Sequence, residues 1–165
     1  MSTISTTKNY TTIILFAINQ TGVLENICAI LRTKMYNLET ITASDSEKPN
    51  QKRITITVSD LDHTRINLLL SNLEALPEVI SVAFTDIDLA VMREICLVKI
   101  SKHIKITESI EIIEKYVGIV TFSNSEYFIA QISGTTAKID KFLIEVNSLG
   151  TVLEFGRSGQ VAMFK

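Results

Sequence analysis

The sequence predicts an α+β protein made of two successive βαββαβ units. Three observations carry that expectation. Apolar residues switch between a period of two and a period near 3.6 in the order strand, helix, strand, strand, helix, strand over residues 11–84. The same order begins again at Glu94, and the breaks fall at Asn-, Pro-, Gly- and Ser-containing stretches. Finally, 165 residues with 46% hydrophobic and 21% charged content can supply two small cores, and neither composition nor a net charge of -2 marks disorder.

Thr11 to Ile18 is nearly continuous in apolar character, as suits a central strand, and ends at a polar Asn19-Gln20-Thr21-Gly22 loop. Val23, Leu24, Ile27, Cys28, Ile30 and Leu31 then recur on one helical face, with Glu25, Asn26, Arg32 and Thr33 opposite. Leu38 to Ser44 follows as a strand, and the Pro49-containing run Asp45 to Gln51 as a loop. Ile54, Ile56 and Val58 alternate with Thr55, Thr57 and Ser59, so one face is buried and the other is rich in hydroxyls. Asp60 or Asp62 can cap a second helix, striped by Ile66, Leu69, Leu70, Leu73 and Leu76 and stopped by Pro77. Ile80, Val82 and Phe84 alternate as the fourth strand. Two such helices cover one face of a four-stranded antiparallel sheet, the ferredoxin-like arrangement, and leave the other face for solvent, a ligand or another subunit.

Asp86 to Arg93 is the expected boundary, giving domains at 9–86 and 87–165. In the second, Ile95 to Ile100 is a strand. Ile106, Ile110, Ile113 and Val117 stripe a helix that Thr107 and Glu108 help to start. Gly118 to Phe122 and Glu126 to Ser133 pair around Ser123-Asn124-Ser125. Thr135 or Thr136 caps a helix with Ile139, Phe142, Leu143 and Val146 inward and Gly150 just past its end. Thr151 to Phe155 is a strand, and Gly156-Arg157-Ser158-Gly159 turns the chain into the terminal segment Gln160 to Phe164.

Several function classes lose support. A net charge of -2 argues against binding driven by phosphate neutralisation, and Lys99, Lys102, His103 and Lys105 read as a solvated basic loop. An RNA-binding sheet of this order would display aromatics on its central strands, where only Phe16 qualifies. The start MSTISTTKNY has no basic n-region or apolar h-region, and no apolar run approaches the roughly 20 residues of a membrane span, so a cytoplasmic protein is expected. Cys28 and Cys96 read as small buried hydrophobes; His63 and His103 have no ligand-spaced partners, so no metal site is expected. No nucleophile with a base and no phosphate-cradling loop is visible, and Glu108, Glu111 and Glu114 share an exposed helical face. Small phosphatases with this fold carry a Gly-rich first loop and a helix-borne Arg to hold phosphate, whereas Asn19 to Leu24 contains no basic residue.

The loop Asn19 to Gly22 is the one stretch that suggests a ligand. A helix start carries backbone N–H groups without intrahelical partners and about half a positive charge, a setting for a small anion such as an amino-acid carboxylate. Gly22 either merely permits a tight turn, with Thr21 as an ordinary cap, or lets that carboxylate reach the backbone of Gly22 and Val23 while the Asn19 amide donates and accepts. Asn37 either reaches the same region across a partner subunit or is a left-handed residue ending the first helix. After Ile100 the second half has no Asn-x-x-Gly, so a turn of this kind is expected once per chain. Arg157-Ser158-Gly159 reads physically as a surface turn.

Five blocks in order carry a family resemblance. They are Asn19-x-x-Gly22-Val23-Leu24, Tyr36-Asn37-Leu38-Glu39-Thr40, Arg93 to Ile100, Gly134-Thr135, and Glu154-x-x-Arg157-Ser158-Gly159. From about Thr11 to Phe164 the chain resembles the small regulatory subunit of acetolactate synthase (acetohydroxyacid synthase). The resemblance implies an N-terminal ACT domain followed by a second ferredoxin-like domain, and a homodimer formed through the ACT sheets. It also implies effector contacts at Asn19, Gly22, Val23, Asn37 and Leu38 for a branched-chain amino acid, typically valine, with leucine or isoleucine as further candidates. Such a chain has no active site or cofactor of its own; it activates a large catalytic subunit that uses thiamine diphosphate, magnesium and FAD. A free-standing ACT-type amino-acid sensor controlling another enzyme or transcription is the alternative. The chain departs from the family where an Arg usually stands at Asn26 and at Lys34 and an aromatic at Leu31.

Overall fold

The computed structural model describes residues 10–85 and 88–165. The chain divides into two compact units, one formed by residues up to Val91 together with Gln160–Lys165, the other by Met92–Gly159. Residues 9, 86 and 87, where the expected domain edges fall, lie outside the described residues. Strand β5 (Ala90–Ser101) begins within the expected boundary stretch, and the crossing between units follows Val91. The segment from Gln160, read in the sequence as the tail of the second half, packs in the first unit.

The first unit contains β1 (Tyr10–Ile18), α1 (Val23–Thr33), β2 (Leu38–Asp45), β3 (Gln51–Ser59), α2 (His63–Glu74) and β4 (Val79–Thr85). Its sheet has the order β2-β3-β1-β4. β1 pairs antiparallel with β3 and β4, and β2 antiparallel with β3, so β1 and β2 run in the same direction. Alternation decides the core: Ile13, Leu15, Ala17, Ile54, Ile56 and Val58 face Val23, Ile27, Leu31, Leu69 and Leu73 of the helices.

The opposite, hydroxyl-rich face is also buried in part. Thr12, Ile14, Thr55, Thr57 and Ser59 have almost no exposed surface. Gln160 is bonded to this face. Its Oε1 accepts hydrogen bonds from Thr12 Oγ1 at 2.8 Å and Thr57 Oγ1 at 3.4 Å, and its backbone oxygen accepts from Thr42 Oγ1 at 2.9 Å. Strand β9 (Val161–Phe164) pairs with β5, the Lys165 N–H donates to the Leu89 oxygen at 3.1 Å, and Arg53 donates to the Ala162 carbonyl. The chain thus closes part of this face with its own last strand.

The second unit repeats the topology with β5, α3 (Ile106–Lys115), β6 (Ile119–Ser123), β7 (Tyr127–Gly134), α4 (Thr136–Ser148) and β8 (Val152–Arg157), in the order β6-β7-β5-β8. Cys96, Val98, Ile100, Ile113, Phe128, Ala130, Ile132, Ile139, Phe142, Leu143 and Val146 form its core. Both units are therefore ferredoxin-like.

The helix ends settle several open readings. Asp62, not Asp60, caps α2, its carboxylate accepting from the Arg65 N–H at 2.7 Å. Thr135, not Thr136, caps α4 through the Lys138 N–H at 3.3 Å. α1 and α3 have no side-chain cap, so neither Thr21 nor Thr107 serves as one, although Glu108 does lie in the first turn of α3. α1 ends at left-handed Met35 (φ 52°), not at Asn37, with Tyr36 N–H bonded to Leu31 O at 2.9 Å and Met35 N–H to Arg32 O at 3.1 Å. Cys28, expected to be buried, is exposed. The buried line of α1 runs Val23-Ile27-Leu31, and Leu24 and Cys28 lie one residue further around the helix, turned away from the sheet.

Candidate functional site

The first candidate residues sit where β1 hands the chain to α1. The Ile18 N–H donates to the Glu78 oxygen and the Asn19 N–H to the Asn50 oxygen, both at 2.9 Å, which fixes the end of the strand. Gly22 then takes φ 93° and ψ -15°, a left-handed conformation that costs an L side chain about 1–2 kcal/mol, and accepts the first helical bond from the Asn26 N–H at 2.9 Å. A Cβ on Gly22 would meet nothing within 4 Å, so the space beside the helix start is open. The Val23 N–H reaches only a long 3.5 Å contact with the Gln20 oxygen. With no side-chain cap, the first turn of α1 presents backbone donors, while the Val23 side chain is buried in the core and Asn19 is exposed.

Asn37 and Leu38 open β2. Asn37 Nδ2 donates to Glu39 Oε1 and to Ser59 Oγ, each at 2.9 Å, and its backbone oxygen accepts from the Ser59 N–H at 3.3 Å. Both amide hydrogens are engaged, so Oδ1 is the polar atom left to meet a donor. Leu38 is 37% exposed.

The five candidates fall into two groups within one chain. Ile18, beside Asn19, pairs with Gln51 at one end of β3; Tyr10 pairs with Ser59 at the other, and Leu38 lies opposite Val58. Along the nine residues of β1 that separation is roughly 26 Å. Asn19, Gly22 and Val23 thus share one end of the sheet, and Asn37 and Leu38 the other.

Other polar groups gain roles that local sequence did not reveal. Asn26 donates to Glu78 Oε1 at 3.0 Å, and Glu78 Oε2 is buried with no partner among the described residues. Arg157, read as part of a surface turn, instead bridges the second unit. Its guanidinium donates to both carboxylate oxygens of Glu94, whose side chain is 2% exposed, and to Asp140 Oδ1 at 2.6 Å. Burial alone would lower the Arg157 pKa, but the bonds to Glu94 and Asp140 raise it on balance. Beside this cluster, burial pushes the Cys96 thiol up to about 11, with Arg157 lowering and Glu94 raising it by smaller amounts; it is an unreactive core residue. Ser158 exchanges bonds with Ile95: its N–H donates to the Ile95 oxygen at 2.9 Å, and its Oγ accepts from the Ile95 N–H at 3.0 Å. The signal for both lay in Arg157-Ser158 recurring with Arg93 to Ile100 in one pattern, but only strand pairing joins them.

The start of the second unit's first helix is partly like that of α1. Lys105 also takes a left-handed conformation (φ 45°) and α3 also lacks a side-chain cap, so what is particular to Gly22 is the missing side chain, not the backbone. Of the basic loop, Lys99 lies 3.6 Å from Glu154 and 4.6 Å from the Tyr127 ring centroid, and Lys102 donates to Ser123 Oγ and the Asn124 oxygen. No helix among the described residues is long and apolar enough to cross a membrane.

Comparisons with known proteins extend over both units. Residues 13–81 match the family model of the AHAS small subunit-like ACT domain, and residues 93–165 match that of the small subunit of acetolactate synthase. The acetolactate synthase small subunit of Buchnera aphidicola subsp. Schizaphis graminum is 28% identical over 146 residues, covering 88% of this chain and 92% of that one. The acetolactate synthase isozyme 3 small subunit of Escherichia coli K12 is 29% identical over 150 residues, covering 88% and 89%. The crystal structure of the acetolactate synthase small subunit from Thermotoga maritima superposes with a TM-score of 0.87 at 25% identity, covering 95% of this chain and 98% of that chain. An ACT unit and its specific companion unit, matched in the same order along nearly the whole chain, place this protein in the family of acetolactate synthase small subunits, which are regulatory subunits.

Proposed function

We propose that this chain activates a large, thiamine-diphosphate-dependent catalytic subunit of acetolactate synthase and makes it subject to feedback inhibition by a branched-chain amino acid, valine in the first place. The observation that carries the effector site is the uncapped start of α1 at left-handed Gly22, with open space where a side chain would stand. There the effector's carboxylate accepts from the first-turn N–H groups and from the Asn19 amide. Its ammonium needs an acceptor, which Asn37 Oδ1 supplies.

Because these groups lie at opposite ends of one sheet, the reading calls for a second copy. β2 is an edge strand. Two β2 edges paired about a two-fold axis run antiparallel, so the Asn37 end of one copy meets the Asn19 end of the other. A homodimer through the ACT sheets thus completes two equivalent sites, in each of which Val23 contributes its backbone N–H and Leu38 an apolar wall. The chain holds no cofactor of its own; thiamine diphosphate, magnesium and FAD belong to the catalytic partner. Feedback requires that the effector bind one state of the holoenzyme better than another, with a typical coupling of about 1–3 kcal/mol.

Adding the purified chain to its catalytic subunit is expected to raise acetolactate formation, and no rise would sink the activator role. For the loop, Gly22→Asp places a carboxylate where the effector's own docks. It is expected to abolish inhibition by valine and preserve activation. Gly22→Asn has the same shape and tolerates the left-handed conformation without the charge, so it should retain a measurable response. Wild-type inhibition of Gly22→Asp would show that the effector binds elsewhere.

A further inference from the structure

We propose that Gln160 is the positioning residue that carries effector occupancy from the first unit to the second; the inference rests on the effector site proposed above. Three strands hold the parts of that site. β1 leads into Asn19 and Gly22, β2 begins at Leu38 just after Asn37, and β3 ends at Ser59, which accepts the Asn37 amide bond. Gln160 is bonded to all three, through Thr12 on β1, Thr42 on β2 and Thr57 on β3. It is 7% exposed, so these bonds do not compete with bulk water. A shift of any one strand against the other two changes the geometry at one carboxamide and its own backbone carbonyl.

Gln160 also stands at a crossing of the chain. The polypeptide passes between the units at Val91–Met92 and at Gly159–Gln160. On the far side of the second crossing, Ser158 is tied to Ile95 by bonds in both directions, and Arg157 is held by Glu94 and Asp140. Gly159 alone, at φ 76°, separates the residue that contacts the three strands from the residue tied to β5 of the second unit. A displacement at Gln160 therefore passes along two residues of chain into a strand pair clamped by Arg157. The effector's differential affinity is felt beyond its own unit only if such a connection has different geometry in the two states.

The test uses the full-length chain assembled with its catalytic subunit and valine as the probe. Gln160→Leu removes the acceptor at similar length, and Thr12→Val removes one donor isosterically with little risk to folding. In both variants valine should bind with a dissociation constant within about 2-fold of wild type and activation should persist. Inhibition at saturating valine should fall about 10-fold or more, because a filled but uncoupled site leaves the catalytic subunit active. The double variant should be no worse than Gln160→Leu, since both changes break one connection. Wild-type inhibition in folded Thr12→Val and Gln160→Leu overturns the coupling role. Loss of valine binding together with inhibition overturns it too, because Gln160 would then support the site itself. A wild-type chain that binds no valine overturns the proposed effector function, and this inference with it, a result distinct from a responsive wild type whose variants respond equally.

Discussion

Val117 shows how single residues carry strain in this protein. It holds φ at 57°, a conformation β-branched side chains rarely adopt, while 81% exposed. The reason lies one residue later. Gly118 donates to the Ile113 oxygen at 2.8 Å, and a Cβ on it would stand 2.8 Å from Ile113 Cγ2. The glycine is needed for close packing, so the left-handed position that closes α3 falls to valine. Val117→Gly is therefore expected to stabilise the protein by about 1 kcal/mol, the relief of the left-handed conformation less the added freedom of the unfolded chain. Denaturant titration checks this; an unchanged or lower midpoint would contradict it. Sequence spacing puts Val117 on an apolar stripe with Ile106, Ile110 and Ile113, yet of these four Ile113 alone is buried. Spacing does not show which residue turns left-handed, because that depends on how closely Gly118 packs on Ile113. Asn26 is similar: its departure from the family is legible in the chain, whereas its bond to Glu78 spans 52 residues and needs the fold.

Among the elements, those whose burial pattern is periodic were readable, and those fixed by tertiary pairing were not. The alternation in β3 and the stripes of α2 and α4 follow from local spacing and match the buried residues of the two cores. The exposure of Cys28 and the extension of β5 back to Ala90 depend on what packs beside them. The link between α3 and α4 belongs to this scale. Lys115, in the last turn of α3, donates to Glu145 of α4, and the Tyr116 hydroxyl donates to the same carboxylate at 2.9 Å. The Lys115 bond, then the Tyr116 bond, lowers the Glu145 pKa below its ordinary 4.5, and the Glu145 bond raises Lys115 above its ordinary 10.5. A lowered carboxylate contributes stability above its unfolded value and loses it as pH falls through the folded one; a raised ammonium contributes below its unfolded value and loses it as pH rises through the folded one. The pair thus supports the fold across neutral pH. Glu145→Gln is expected to lower Tm at pH 7, with the difference from wild type vanishing as the pH falls below 4.5; a gap that persisted in acid would assign the effect to packing.

At the scale of the whole molecule, the candidate site was legible as residue types but not as a place. Asn19, Gly22 and Asn37 stand out in the sequence, yet their separation along β1 follows from strand order, which spacing alone does not encode. The two-unit organisation was visible as a repeated pattern; the return of Gln160 to the first unit was not, because nothing local distinguishes that strand from a tail. Each core lies wholly within 10–91 or 92–159. A fragment of residues 92–159 is therefore expected to fold with its own sheet. A fragment ending at Val91 forfeits the three Gln160 bonds and should be about 3 kcal/mol less stable than the same unit in the intact chain. Equal denaturation midpoints for that unit in the two contexts would remove Gln160 from the fold's stability. The late return of this strand also gives the molecule a timetable on the ribosome. Val91 is made before Met92–Gly159, and Gln160 after it, so at about 5–20 residues per second the threonine face of the newborn first unit waits roughly 3 to 14 s for its cover. During that interval a polar face, unlike a greasy one, gives chaperones and neighbouring nascent chains little to seize, which suits a surface that must stay open while the rest of the chain is still being synthesised.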